Sequence, residues 1–247
     1  MKGLGKTALL LGATLLLSGC DTGLRWYVVD PTLPAGQTNL RFLLGGLVWT
    51  ILLSVTAIVI SVLVGLLIAL PGLSERPGLR WINRIYVEGI RAIPILVMIL
   101  WVYYGLPQLV GISIGVFWAG VIALAVCDSA FQAEIFRAGI QSIDKGQYEA
   151  SRTIHLSYFD TMRFVILPQA LRRILPALGN QFVYVLKMSS LVSVIGMGEL
   201  TRRANELVVT EYRPLEIYTV LVLEYLALIL LVSAGVRWLE RRLQTQG

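Results

Sequence analysis

Charge, histidine and cysteine are all scarce in these 247 residues. Charged side chains make up 15%, against the roughly 25% of an ordinary soluble domain. Apolar residues reach 56% and mean hydropathy is +0.74. No large soluble domain fits between the apolar stretches, so the chain reads as one membrane domain. The single histidine, His155, rules out a two-histidine metal site. The two cysteines, Cys20 and Cys127, lie in such different contexts that no disulfide is expected. There is no G-x-x-x-x-G-K-[ST] loop, so the chain does not bind ATP in the P-loop manner. The carboxylates also lack a paired catalytic spacing. These absences leave transport, channel or anchoring roles. The net charge of +6 fits lysine and arginine held in cytoplasmic loops better than a nucleic-acid partner.

What is present begins with a leader. Lys2 and Lys6 precede the apolar run from Ala8 to Leu17, which is too short to span a bilayer and fits a signal peptide. Leu17-Ser18-Gly19-Cys20 then resembles a bacterial lipobox, which implies lipidation of Cys20. An uncleaved signal anchor is the other reading of residues 1–20. Asp21 to Arg41 reads as an external linker on Pro31, Pro34 and Gly36. One membrane domain is expected over 42–243. Its five spans are Phe42–Leu70, stopped by Pro71 and Gly72, then Ile93–Leu109, Ile112–Phe131, Leu175–Ile195 and Ile217–Val236. The expected fold is all-α: a polytopic membrane helical bundle with five core transmembrane helices.

Placing the linker outside makes the Arg76 loop, the region around Gln147 and the C-terminus cytoplasmic, and these hold most of the lysine and arginine. The stretch from Gly198 to Glu216 is the exception, with Arg202, Arg203 and Arg213 on the external side.

The longest polar passage between the apolar segments is Gln147–Gln169, QYEASRTIHLSYFDTMRFVILPQ. Glu149-Ala150-Ser151, then His155, then Val165-Ile166-Leu167-Pro168 resembles the EAA loop of bacterial ABC-importer permeases. Tyr86-Val87-Glu88-Gly89-Ile90-Arg91 with Pro94, Ala133-Glu134-Ile135-Phe136-Arg137 and Leu186-Lys187 with Ser189-Ser190-Leu191 extend the likeness. So do Glu199-Leu200-Thr201-Arg202-Arg203 and Leu239-Glu240-Arg241-Arg242. In order, from about Leu40 to Leu243, the chain resembles the polar-amino-acid (histidine/glutamine/arginine-type) permease family.

That resemblance implies a type I importer permease in the bacterial inner membrane, which is not itself an enzyme. Its implied partners are cytoplasmic ABC ATPase subunits, a second permease subunit, a periplasmic amino-acid-binding protein, membrane lipid and an amino-acid substrate. No cofactor is bound by this chain; ATP and magnesium are used by the partner ATPase. ATPase coupling is assigned to Gln147, Glu149, Ala150, Ser151, Arg152, His155, Leu167 and Pro168. On a helix Glu149 and Arg152 are three apart and expected to pair, and Pro168 is expected to open the next segment. His155 stands where the family has glycine, a position that favours left-handed backbone; the turn is expected to survive. Met188 and Gly198 also depart from the family's Asp and Pro.

Polar groups within spans tend to face a bundle interior or cavity. Asp128, Gln132, Asn180, Lys187, Ser189 and Ser190 are therefore the translocation-path candidates, with Asp128 and Lys187 as snorkelling helix-end residues the alternative. Glu134 and Arg137 are expected to hold the base of the coupling loop. Two other functional readings stand beside the importer: a secondary transporter or channel working alone, and a lipid-anchored sensor or assembly factor.

Overall fold

The first long helix, α1, begins at Pro34, whose fixed φ suits a first helical turn, and runs to Leu73. Its 40 residues extend about 60 Å at roughly 1.5 Å each, twice the ~30 Å hydrocarbon thickness. This is a computed structural model in which residues 25–244 are described; the leader and Cys20 lie outside them. After α1 come α2 (Pro77–Arg91), α3 (Ile95–Val110) and α4 (Val116–Gln141). The chain continues with α5 (Lys145–Thr153), α6 (Tyr158–Ile195), α7 (Leu200–Glu211) and α8 (Pro214–Gln244). No strand occurs among the described residues. Among the described residues four helices, α1, α4, α6 and α8, are long and apolar enough to cross a membrane alone. The pair α2 and α3, bent by 94° at the break between them, passes together and supplies the fifth.

The helices outrun the apolar runs that announce them. Pro71, expected to stop α1, sits inside its last turn, where only Gly72 and Leu73 follow. Polar flanks add Glu134–Gln141 to α4 and carry α6 back to Tyr158. Pro168 does not start a new segment, because α6 passes straight through it. The reason is a π-helical turn at Thr161–Ile166 immediately before Leu167-Pro168. A proline ring clashes with the carbonyl four residues back, here that of Phe164, and the wider turn relieves the clash. The same device recurs in α3, where a π turn at Trp101–Gly105 precedes Leu106-Pro107.

The centre of the bundle is α1 against α4. Gly46, Thr50, Ser54, Ala57, Ser61, Gly65, Ala69 and Gly72 are buried at spacings of three and four along α1. The middle of this series packs on α4, where Ala119, Gly120, Ala123, Ala130 and Ala133 are buried, while Gly46 faces Leu200 and Gly72 faces Asn83. Small side chains let two backbones approach where lipid offers no hydrophobic drive to associate. At Gly65 a Cβ atom would stand 2.4 Å from Gln132 Cβ and 2.9 Å from the Ser129 carbonyl oxygen.

The external linker is partly folded, unlike the expectation. A 3₁₀ turn at Trp26–Val29 buries Val28 and Val29 against Leu43, Ala204, Leu207 and Ile217. The Arg25 N–H donates to Glu216 Oε1 at 2.8 Å. At this end the arginines that break the charge asymmetry are engaged: Arg202 pairs with Glu206 at 2.7 Å, and Arg203 Nη1 donates to the Phe42 carbonyl at 2.7 Å. Glu199 caps α7 by accepting from the Arg202 N–H at 2.7 Å, and it accepts from the Tyr225 hydroxyl at 2.9 Å.

Candidate functional site

α5 starts at Asp144, whose carboxylate accepts from the Gly146 N–H at 2.6 Å. Capping satisfies an amide donor that a helix N-terminus leaves unpaired. Glu149, Ala150 and Arg152 are exposed, whereas Ser151 is buried and donates its hydroxyl to the Gln147 carbonyl at 2.7 Å. The helix ends in a Schellman motif. The Leu156 N–H donates to the Ser151 carbonyl at 3.0 Å, and the His155 N–H to that of Arg152 at 3.0 Å. His155 occupies the left-handed position at φ 58°, where glycine is the usual residue. Ser157 then accepts from the Asp160 N–H at 3.1 Å and starts α6.

The segment is braced from several sides. Gln169 Nε2 donates to Gln147 Oε1 at 3.2 Å, closing the helix–turn–helix on itself. Arg173 Nη1 donates to the Ser142 carbonyl and to Ser142 Oγ, tying α6 to the start of the loop. Glu134 and Arg137 pair with each other through Nη2–Oε2 at 2.6 Å and Nε–Oε1 at 3.0 Å, and Arg137 Nη1 donates to Gln141 Oε1 at 2.8 Å at the end of α4. The expected Glu149–Arg152 pair is absent from the ion pairs among the described residues. Both side chains are solvated, and water competes well with an exposed pair. Arg152 instead lines a cavity of about 540 Å³ with Tyr148, Leu156, Tyr158 and Thr161. Burial and the neighbouring Tyr158 raise the Tyr148 hydroxyl above the usual tyrosine range. Ile154, Tyr158 and Phe159 stand 70%, 78% and 68% exposed, an apolar patch beside the polar face of α5. Leu167 is exposed at 38% and Pro168 is exposed beside it.

The path candidates separate into two groups. Asp128 lies at the middle of α4 and is 2% exposed, so it is not a snorkelling helix-end residue. Its Oδ2 accepts from Ser61 Oγ at 2.5 Å and Gln132 Nε2 at 2.9 Å, and its Oδ1 from Gln181 Nε2 at 2.6 Å. Three helices, α1, α4 and α6, are thus joined through one carboxylate. Beside it Ser129 shares a hydroxyl contact of 2.7 Å with Tyr86 of α2. Ser61 was not foreseen; its only signal in the sequence is its place in the small-residue series on α1. Asn180 and Lys187 are exposed on a different face of α6 and do not join the cluster. Ser189 and Ser190 donate to the carbonyls of Leu186 and Lys187, at 2.7 and 2.8 Å. A cavity of about 220 Å³ reaches Asp128 between Arg91, Pro94, Phe131, Tyr184 and Met188. There the Arg91 guanidinium sits 4.8 Å from the Phe131 ring centre.

The braced, surface-facing helix–turn–helix thus lies between α4 and α6, two of the long helices of the bundle. The profile described as binding-protein-dependent transport system inner membrane component matches residues 57–245. The chain belongs to that family. It is a multi-pass inner-membrane permease subunit of an ABC importer. It is 36% identical over 207 residues to the arginine transport system permease protein ArtQ of Bacillus subtilis (strain 168), covering 84% of this chain and 94% of that one. It is 36% identical over 224 residues to the glutamine transport system permease protein GlnP of Escherichia coli (strain K12), covering 89% and 97%. Among solved structures, a crystal structure of an amino acid ABC transporter with histidines superposes with a TM-score of 0.77 at 43% identity, over 82% of the permease and 94% of that chain. An inward-facing MetNI methionine ABC transporter gives a TM-score of 0.71 at 24% identity over 83% and 97%, which supports the fold.

Proposed function

We propose that this permease carries polar amino acids inward and is driven by separate ATPase subunits that seat on α5 and the turn after it. The carrying observation is the division of that segment's side chains. Ser151 and Ile166 are buried and fix it to the bundle, while Glu149, Ala150, Arg152, Ile154, Tyr158 and Phe159 face outward. A short helix locked by a cap, a Schellman turn and the Gln147–Gln169 contact transmits a push as a rigid piece. ATP and magnesium belong to the ATPase, and this chain contributes the lever and the pathway without catalysis of its own.

The pathway is assigned to the cavity at Asp128 and to the outward face of α6 that carries Asn180, Tyr184 and Lys187. A second permease subunit covers that face, and a periplasmic binding protein delivers the amino acid to the end of the bundle formed by Trp26–Val29 and α7. Polar amino acids are the substrate class on the strength of the arginine and glutamine permeases among the relatives. A substrate carrying both charges suits a path with donors, acceptors and no deep well for either sign. The test is Glu149→Arg in the assembled transporter. Loss of ATPase co-purification and of ATP-driven uptake is expected; retention of both overturns the reading.

A further inference from the structure

The end of the bundle that carries α5 holds a second cavity, distinct from the lever and sharing only Arg91 with the lining of the Asp128 cavity. Its volume is about 310 Å³ and its lining includes Arg80, Arg84, Arg91 and Arg137 against only two carboxylates, Glu88 and Glu134. Arg84 holds Glu88 at 2.7 Å and Arg137 holds Glu134 at 2.6 Å. Neither Arg80 nor Arg91 has a carboxylate partner among the ion pairs of the described residues. The cavity is therefore a cationic hollow with guanidinium donors to spare.

Its position fixes the chemistry of the occupant. The Arg152 cavity also touches Leu73, Ser74 and Glu75, so the α1–α2 turn lies at the same end as α5. The apolar run of α4 ends at Phe131, and Glu134 and Arg137 follow it by three and six residues, which is about 5 and 9 Å along the helix. The hydrocarbon crossing is complete by that point, so the hollow sits at headgroup depth. The helix that forms one wall, α2, is amphipathic in the manner of an interfacial helix. Arg80, Arg84, Glu88 and Arg91 follow one another on its polar face, while Trp81, Ile82 and Ile85 are 65%, 54% and 50% exposed beside them. The 94° bend before α3 turns this helix off the line of the span that follows.

We propose that the hollow between α2 and α4 binds the headgroup of an anionic phospholipid, with the acyl chains lying along Trp81, Ile82 and Ile85. Guanidinium groups match phosphate oxygens in pairs of parallel hydrogen bonds, and basic pockets between helices at this depth suit acidic headgroups. Arg80 and Arg91 supply the contacts, and Arg84 and Arg137 stay with their glutamates and set the field.

The test uses the full chain with its assembled partners, extracted with mixed phosphatidylglycerol and phosphatidylcholine and weighed by native mass spectrometry. The wild type is expected to retain phosphatidylglycerol over phosphatidylcholine, and Arg80→Gln with Arg91→Gln to lower that retention at least fivefold. Arg76→Gln, a basic residue outside the hollow, is the control and is expected to retain lipid as the wild type does. Elution as a single species shows that each variant is folded. Equal retention of the two lipids, unchanged retention in the double variant, or an equal loss in Arg76→Gln overturns the proposal. If the double variant loses the ATPase or the second subunit while phosphatidylglycerol stays bound, the hollow is a protein dock and the lipid assignment fails.

Discussion

Ser61 of α1 donates its hydroxyl to Asp128 of α4 at 2.5 Å, across the seam between the two helices. The contact depends on close approach, since a short side chain reaches a neighbouring helix only where small residues line the interface. Gln132 and Gln181 complete the set of donors. Asp128→Ala leaves three donors facing an emptied, apolar site, and an orphaned buried donor costs about 1–3 kcal/mol. The variant is expected to lower the thermal unfolding midpoint of the purified protein clearly. Asp128→Asn is expected to cost less, because an amide still accepts and the Gln181 amide can reverse to meet it. Equal midpoints for wild type and the alanine variant would remove the cluster's structural role.

Gly65 tests the seam itself. A methyl group there meets the Gln132 side chain and, at 2.9 Å, a carbonyl oxygen of α4 that cannot turn aside. Gly65→Ala is expected to reduce folded yield and Gly65→Leu to abolish it. Leu67→Ala, at a position 64% exposed towards the lipid, is expected to be nearly silent. Yields ranked by side-chain size at position 67 but not at position 65 would contradict this packing.

The same seam shows what the sequence hides. α1 is apolar all round, so its faces differ in size of side chain and a search for polar–apolar periodicity finds nothing. Ser61 therefore reads as one more small residue until α4 is placed against it. Apolar runs reveal that five spans exist, yet they mark the lipid-crossing part of each helix; Glu134–Gln141 and Tyr158–Ile174 continue the same helices in polar sequence. The turn at His155 was legible because the left-handed requirement comes from the residue that usually stands there. The Glu149–Arg152 pair was not, because helical spacing permits an ion pair that solvation does not reward.

Glu224, within α8, presents a different case. Both carboxylate oxygens are shielded from solvent and have no hydrogen-bond partner among the described residues. An unpaired polar group in an apolar setting costs about 1–3 kcal/mol, so Glu224→Leu is expected to raise the unfolding midpoint of the isolated permease and Glu224→Gln to change it less. A fall in the midpoint with leucine would mean that the carboxyl makes a stabilising contact within the folded permease, and the expectation would be wrong.

His155 carries the last prediction. Its φ of 58° costs an L-residue about 1–2 kcal/mol relative to right-handed backbone, and glycine escapes that cost at the same position. Histidine persists because the Schellman pair, Leu156 to Ser151 and His155 to Arg152, holds the turn from both sides. His155→Gly is therefore expected to raise the unfolding midpoint slightly while leaving ATPase association intact. His155→Val, whose branched Cβ suits the left-handed region poorly, is expected to lower the midpoint and weaken association together. The comparison separates backbone from side chain. If glycine instead costs the permease its ATPase while stability rises, then the imidazole itself, exposed on the surface of the lever, makes a contact with the motor.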